Sequence, residues 1–120
     1  MSDGLGHEPA GEPNDLGGFF VERANAGDAE GLVALYEPDA VLAFPAGRLA
    51  VGREAIRATY EKLLAGRPRF QPGEQAPALV NGDLALTSTR LVGGGVTAEV
   101  ARRQPDGSWL WAIDQPNVLG

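Results

Sequence analysis

Two carboxylates in the second half of the chain, Glu99 and Asp114, have apolar neighbours: Ala98 and Val100 flank the first, and Trp111, Ala112 and Ile113 precede the second. A carboxyl buried in such company has a raised pKa and can work as a general acid or base. If both face one cavity, their pKa values separate, giving one acid and one base. Each also has a plainer role open to it. Asp114 can point to solvent at a strand end or pair with an arginine such as Arg90, and Glu99 can lie on the outer face of its sheet. Arg90 alternates with Ser88 and Leu86, so it is a candidate cavity partner for a carboxylate or anion; pairing across the sheet is its other role. Tyr36 and Tyr60 fall on the apolar stripes of the second and third helices, where a phenol either packs in the core or reaches a ligand carbonyl. Trp109 and Trp111 share one face of the last strand, as walls for a ligand or anchors of an interface. Phe20 and Phe44 read as apolar lining of a pocket for a flat hydrophobic molecule.

The rest of the composition narrows the chemistry. There is no cysteine, which removes disulfides, thiol nucleophiles, iron–sulfur clusters and cysteine zinc sites together. The only histidine is His7, outside the expected core, so a catalytic triad or a histidine-rich metal site is not expected. Gly93-Gly94-Gly95 lacks the Lys-Ser/Thr of a phosphate loop and reads as a turn. Asp28, Glu30 and Asp106 do not have calcium-loop spacing. No metal and no cofactor are therefore expected. Carboxylates, hydroxyls and arginines remain.

Charge and length bound the partners. The 120 residues carry a net charge of -6, and four acids (Asp3, Glu8, Glu12 and Asp15) lie in the first fifteen residues without a Lys or Arg. Residues 16–120 are close to balanced, which argues against nucleic acid or an anionic membrane as a main partner. No apolar run approaches the roughly 20 residues of a membrane span, and the first residues lack the pattern of a secretory signal. A cytoplasmic protein is the expectation.

The elements that must position these groups follow from periodicity. Residues 1–14, rich in Gly, Pro and acids, are expected as a disordered acidic tail, and 15–120 as a single domain. Asp15 caps a first helix with Leu16, Phe19, Phe20 and Ala24 on one face, ended by Gly27. Asp28 caps a second, with Ala29, Leu32, Val33 and Tyr36 at helical spacing, stopped by Pro38. Ala40–Phe44 reads as a strand, Leu49–Val51 as a short return, and Arg53–Ala65 as a third helix ended by Gly66. Residues 69–80 are extended but interrupted by Pro72 and Pro77. Asn81-Gly82-Asp83, Gly93-Gly94-Gly95 and Pro105-Asp106-Gly107 then separate strands over 84–92, 96–104 and 108–115, an antiparallel meander. The order predicts an α+β fold, a cone-shaped roll with three N-terminal helices on a curved, mainly antiparallel sheet. Such a roll encloses a cavity for a small apolar molecule.

Several segments resemble the nuclear transport factor 2-like superfamily. Phe19-Phe20-Val21-Glu22-Arg23-Ala24-Asn25-Ala26-Gly27-Asp28 is similar to its helix, Asn-x-Gly-Asp, helix opening. Leu35-Tyr36-Glu37-Pro38-Asp39-Ala40-Val41 resembles its second helix running into strand one, and Gly52-Arg53-Glu54-Ala55-Ile56 its third helix start. Pro105-Asp106-Gly107-Ser108-Trp109 and Ala112-Ile113-Asp114 are similar to the closing hairpin of its SnoaL-like and ketosteroid-isomerase-like branches. The resemblance implies a homodimer packed through the outer sheet face, and an acid at Asp114 that faces the cavity.

Ketosteroid isomerases use a carboxylate base and an oxyanion hole of a Tyr and a protonated Asp. Aligned on Asn25-Ala26-Gly27-Asp28, the Tyr falls on Phe20 and the base on Phe44, while the oxyanion Asp falls near Glu99. The two Phe side chains cannot move a proton. The sequence therefore favours a protein that binds a small hydrophobic molecule without classical isomerase activity. The alternative is an acid/base enzyme of cyclase, isomerase or hydrolase type, with Asp114 and Glu99 catalytic and Phe20, Tyr36, Phe44, Tyr60, Arg90 and Trp111 around the ligand. A third reading is a dimerisation module whose cavity is filled by its own side chains. Convergence of the two carboxylates in one cavity discriminates among them.

Overall fold

The computed structural model describes residues 7–118. Helix α1 runs Asp15–Asn25 with Asn14 at the N-cap, one residue before the expected cap; the Asp15 carboxylate instead accepts from the Glu12 N–H at 3.0 Å. Helix α2, Ala29–Val33, starts where Asp28 accepts the Gly31 N–H at 2.9 Å, as its spacing predicted. It is shorter than the apolar stripe suggested. Pro38 disfavours helical backbone just before it, and Tyr36 becomes the first residue of strand β1, Tyr36–Leu42. Strand β2 is Ala50–Val51. Helix α3 spans Arg53–Ala65, as expected, following Gly52, whose φ of 87° is open to glycine alone at little strain.

The second half is sheet. Strands β3 (Glu74–Gln75) and β4 (Leu79–Asn81) precede β5 (Leu84–Thr87), β6 (Thr89–Arg90), β7 (Ala98–Arg103) and β8 (Trp109–Gln115). The strand expected over 84–92 is broken at Ser88, because its halves serve different partners: β5 lies between β4 and β7, while β6 pairs with β3 in a two-stranded sheet. The six-stranded sheet has the order β2-β1-β8-β7-β5-β4, and only β1 and β8 run parallel. Three helices on a mainly antiparallel sheet make this an α+β fold.

One sheet face meets the helices. Leu16 and Ala24 of α1, Leu32 and Val33 of α2, and Ile56 and Tyr60 of α3 close on Tyr36, Leu42, Ala85, Ala101, Trp109 and Trp111. The other face of the six-stranded sheet carries an apolar row across all six of its strands. Leu79, Leu86, Val100, Ile113, Val41 and Val51 are successive register partners from β4 to β2. Four of them (Leu79, Leu86, Ile113 and Val51) are exposed.

The start of the described chain corrects one expectation. Residues 7–14 lie against the fold rather than extending from it: Ala10 is buried and its carbonyl accepts the Trp109 N–H at 2.9 Å. The buried Arg23 donates to the Glu8 carbonyl at 2.8 Å, and His7 pairs with Asp28 at 2.9 Å. Composition misses this because the anchoring is done by backbone carbonyls, small apolar groups at Ala10 and Pro13, and single polar contacts such as His7 with Asp28. Residues 1–6 of the expected tail lie outside the described residues.

Candidate functional site

A cavity of about 400 Å³ opens between α1, the segment 70–75 and the helix-facing side of β5 to β8. Its walls are largely aromatic. Phe20 meets Tyr60, Phe70 and Trp111 with ring centroids 5.9, 5.6 and 6.2 Å apart, the first two edge to face. Phe70 is fixed from outside: the Asn25 side chain donates to its carbonyl at 2.9 Å and accepts its N–H at 2.8 Å. The Asn of the Asn-x-Gly-Asp segment thus holds a cavity wall in place. Trp111 is one wall residue, and its indole N–H is buried without an acceptor among the described residues.

Into this apolar space project both carboxylates. Glu99 and Asp114 are direct register partners across β7 and β8, so their side chains share one face. A bulge makes this so. Ala101 pairs with Trp111 and Val100 with Ile113, which leaves Ala112 as an extra residue on β8. Trp109 and Trp111 face inward; simple alternation would then bury Ile113 and expose Asp114. The inserted residue reverses the order, leaving Ile113 52% exposed and Asp114 5%.

The electrostatics follow from placement. Burial pushes the Asp114 carboxyl up from 3.8 to about 7; the Tyr36 hydrogen bond opposes that shift and the Glu99 charge adds to it. Tyr36 donates to Oδ2 of Asp114 at 2.5 Å and lies 2.6 Å from the Tyr60 hydroxyl. Oδ1 of Asp114 has no hydrogen-bond partner among the described residues. Glu99 is also raised by burial, but the Thr97 and Thr87 hydroxyls favour its charged form, Thr87 donating at 2.7 Å. No Lys, Arg or His lines the cavity among the described residues. Nor do three acidic or histidine side chains converge there into a metal-binding group.

Of the residues singled out in the sequence, Phe20, Tyr60, Glu99, Trp111 and Asp114 line the cavity together. Tyr36 lies fully buried behind them, reaching Asp114 from strand β1 rather than from a helix. Phe44 is half-buried against the core and is not a lining residue. Arg90 is excluded. Its side chain is 77% exposed and faces an equally exposed Glu74 at 3.7 Å. Strand parity differs from the expectation: Glu99 pairs with Thr87, so the odd-numbered Thr87 and Thr89 face inward and the even-numbered residues do not. Thr87 and Thr97 line the cavity beside Glu99 and were not singled out from the sequence. Their signal was available in the alternation, once Glu99 was placed inside.

Residues 19–114 match the SnoaL-like domain family. The chain belongs to that family. Among solved structures, this SnoaL-like domain is similar to a nuclear transport factor 2-like protein with a cystatin-like fold from Novosphingobium aromaticivorans. The identity is 26%, the TM-score 0.64, and 88% of this chain covers 79% of that one. It also shares its fold with a protein of unknown function from Mycobacterium tuberculosis, at 23% identity and a TM-score of 0.68, over 84% of this chain and 70% of that one. Among curated proteins, the epoxide hydrolase LasB of Streptomyces lasalocidi is 36% identical over 75 residues, 62% of this chain. The chain spans 27% of the length of that relative.

Proposed function

We propose that this SnoaL-like domain is an acid–base enzyme for a small, mostly apolar molecule carrying a strained or polarised oxygen, with an epoxide the first class to test. The observation that carries this reading is the pairing of Glu99 with Asp114 inside one aromatic cavity. Two carboxyls whose surroundings push their pKa values apart divide into an acid and a base. Asp114, the more buried, keeps its proton to near neutrality and is the acid. Glu99, supported by the two threonine hydroxyls, ionises first and is the base.

In the hydrolytic version, water attacks a ring carbon as Glu99 takes its proton. The ring C–O bond breaks, and Asp114 protonates the departing oxygen. The product is a vicinal diol, with Glu99 protonated and Asp114 ionised until solvent resets both. The likeness to an epoxide hydrolase supports the substrate class. The binding-only reading drew on Phe20 and Phe44, which stand where isomerases carry their catalytic groups. The carboxylate pair does not depend on those positions.

The test is incubation of the protein with trans-stilbene oxide and smaller alicyclic epoxides, with diol formation followed by chromatography. Asp114→Asn and Glu99→Gln should each lower turnover by a hundredfold or more, since general acid or base catalysis contributes about 10² to 10⁴. The rate should fall at low pH as Glu99 protonates and above about pH 7 as Asp114 ionises. Epoxides bound but recovered unchanged would overturn the catalytic reading in favour of binding alone. The same proposal includes a homodimer, which would cover the apolar row across all six strands of the main sheet's outer face.

A further inference from the structure

We propose that the proton held by Asp114 is delivered to the bound molecule at the Tyr60 hydroxyl, through a relay in which Tyr36 links two cavity-facing groups from behind the wall. This inference rests on the acid–base reading above and names the atom at which the acid acts. Tyr60 and Asp114 both line the cavity, whereas Tyr36, fully buried, does not. The Tyr36 oxygen is 2.6 Å from Tyr60 and 2.5 Å from Oδ2 of Asp114.

The direction of donation in this chain is set by one proton. Each phenol has a single O–H, and an ionised carboxylate can only accept. With Asp114 ionised, Tyr36 must donate to Oδ2 and Tyr60 must donate to Tyr36. Tyr60 then presents only lone pairs to the cavity. With a proton on Oδ2, both hydroxyls turn: Asp114 donates to Tyr36, Tyr36 to Tyr60, and the Tyr60 O–H is released toward the ligand. Protonation of Asp114 thus converts Tyr60 from acceptor to donor.

The transfer balances. When Tyr60 gives its proton to a ligand oxygen, it takes one from Tyr36, which takes one from Oδ2. The ligand gains a proton, Asp114 becomes the carboxylate, and both phenols end neutral. A lone phenol would be a poor acid here, because burial and the nearby Asp114 charge raise both tyrosines above their ordinary value. The relay avoids a phenolate.

The charged and titratable groups around Asp114 are few. β1 contributes Tyr36, α3 Tyr60 and β7 Glu99; α1 presents Glu22 at the cavity rim, and β5 and β6 present threonines. Glu99 is the competing titration and must be controlled.

The test uses 2-acetylnaphthalene, a ligand that only accepts hydrogen bonds, with its dissociation constant measured by fluorescence at pH 5.5 and 8.5. The intact protein should bind it about three- to tenfold more tightly at pH 5.5, the worth of one added hydrogen bond. Tyr60→Phe and Tyr36→Phe should each flatten that ratio to below twofold, as should Asp114→Asn, whereas Glu99→Gln should keep it. Tyr36 does not line the cavity, so flattening by Tyr36→Phe reports conduction rather than lost contact. Thermal unfolding confirms that each variant is folded. A ratio lost in Asp114→Asn but kept in Tyr60→Phe or Tyr36→Phe would overturn the relay alone, since Oδ1 would then be donating directly. A ratio kept in Asp114→Asn would overturn the acid role of Asp114 as well. Equal affinity at both pH values in the intact protein, or no binding at either, would overturn the relay, leaving the catalytic reading to the epoxide assay.

Discussion

Replacing Asp114 with Asn turns the burial of its carboxyl into a measurable pH dependence of stability. In the fold this carboxyl is raised from 3.8 to about 7 and is nearly inaccessible to solvent. The folded state therefore binds the proton that the unfolded chain releases above its ordinary value. Stability from this group is greatest at low pH and is lost as pH rises through about 7. Between pH 5.5 and 8.5, at 1.36 kcal/mol per pH unit below the folded value of about 7, the loss comes to about 2 kcal/mol. The loss levels off once pH is well above 7, where the carboxylate stays buried with the Tyr36 hydroxyl donating to it. The amide of Asn carries no titration and can still accept from Tyr36 through its oxygen. Asp114→Asn should therefore gain about 2 kcal/mol on the unmodified protein between pH 5.5 and 8.5, and be the more stable of the two at the higher pH. Urea unfolding at the two pH values, with the midpoint slope held common, reads the difference directly. Equal destabilisation at both would mean that Asp114 is ionised throughout, and its assignment as the acid would fail.

Other residues give independent checks. Asn25→Ala leaves the Phe70 backbone without two hydrogen bonds and should cost about 1–3 kcal/mol in urea unfolding; a cost under about 0.5 kcal/mol would show that Phe70 is held by packing alone. Gly18 lies at the cavity mouth and a Cβ there meets nothing within 4 Å. Gly18→Leu should thus preserve or raise helix stability by up to about 1 kcal/mol while weakening binding of a ligand that fills the cavity by tenfold or more, as titration would show. Ile113→Arg puts a charge in the middle of the outer apolar row. It should convert a sedimenting dimer to a monomer without loss of the folded signal; an unchanged sedimentation coefficient would place the interface elsewhere.

Much of the backbone plan is written locally. Gly52 and Gly66 bracket α3, Asp28 caps α2, and Pro105-Asp106-Gly107 joins β7 to β8; each is a short-range effect of a cap, a positive φ or a turn. The absence of cysteine and the position of the sole histidine likewise leave carboxylates, hydroxyls and arginines as the groups expected to carry chemistry. Where the chain switches state within a few residues, local pattern misled: Tyr36 has helical spacing from Leu32 and Val33, yet pairing with Trp111 across the sheet draws it into β1.

Which face of the sheet is inside could not be read in this way, because both faces offer apolar side chains. The outer face carries Leu84, Leu86 and Ile113, while the inner carries Thr87, Glu99 and Asp114. Alternation says which residues share a face, but its usual cue, apolar within and polar without, is inverted at the cavity, although the same face is apolar around Trp109 and Trp111. That inversion put Arg90 on the wrong side. A single extra residue at Ala112 then reverses the parity of β8, a choice made by pairing with β7 and β1 rather than by any residue in the strand. The sequence by itself determined the residue types, the family and most element boundaries, since these depend on interactions within a few positions. Only the tertiary structure decided that Glu99 and Asp114 meet in one cavity with Tyr36 and Tyr60 behind them, because register between distant strands is set by the whole sheet at once.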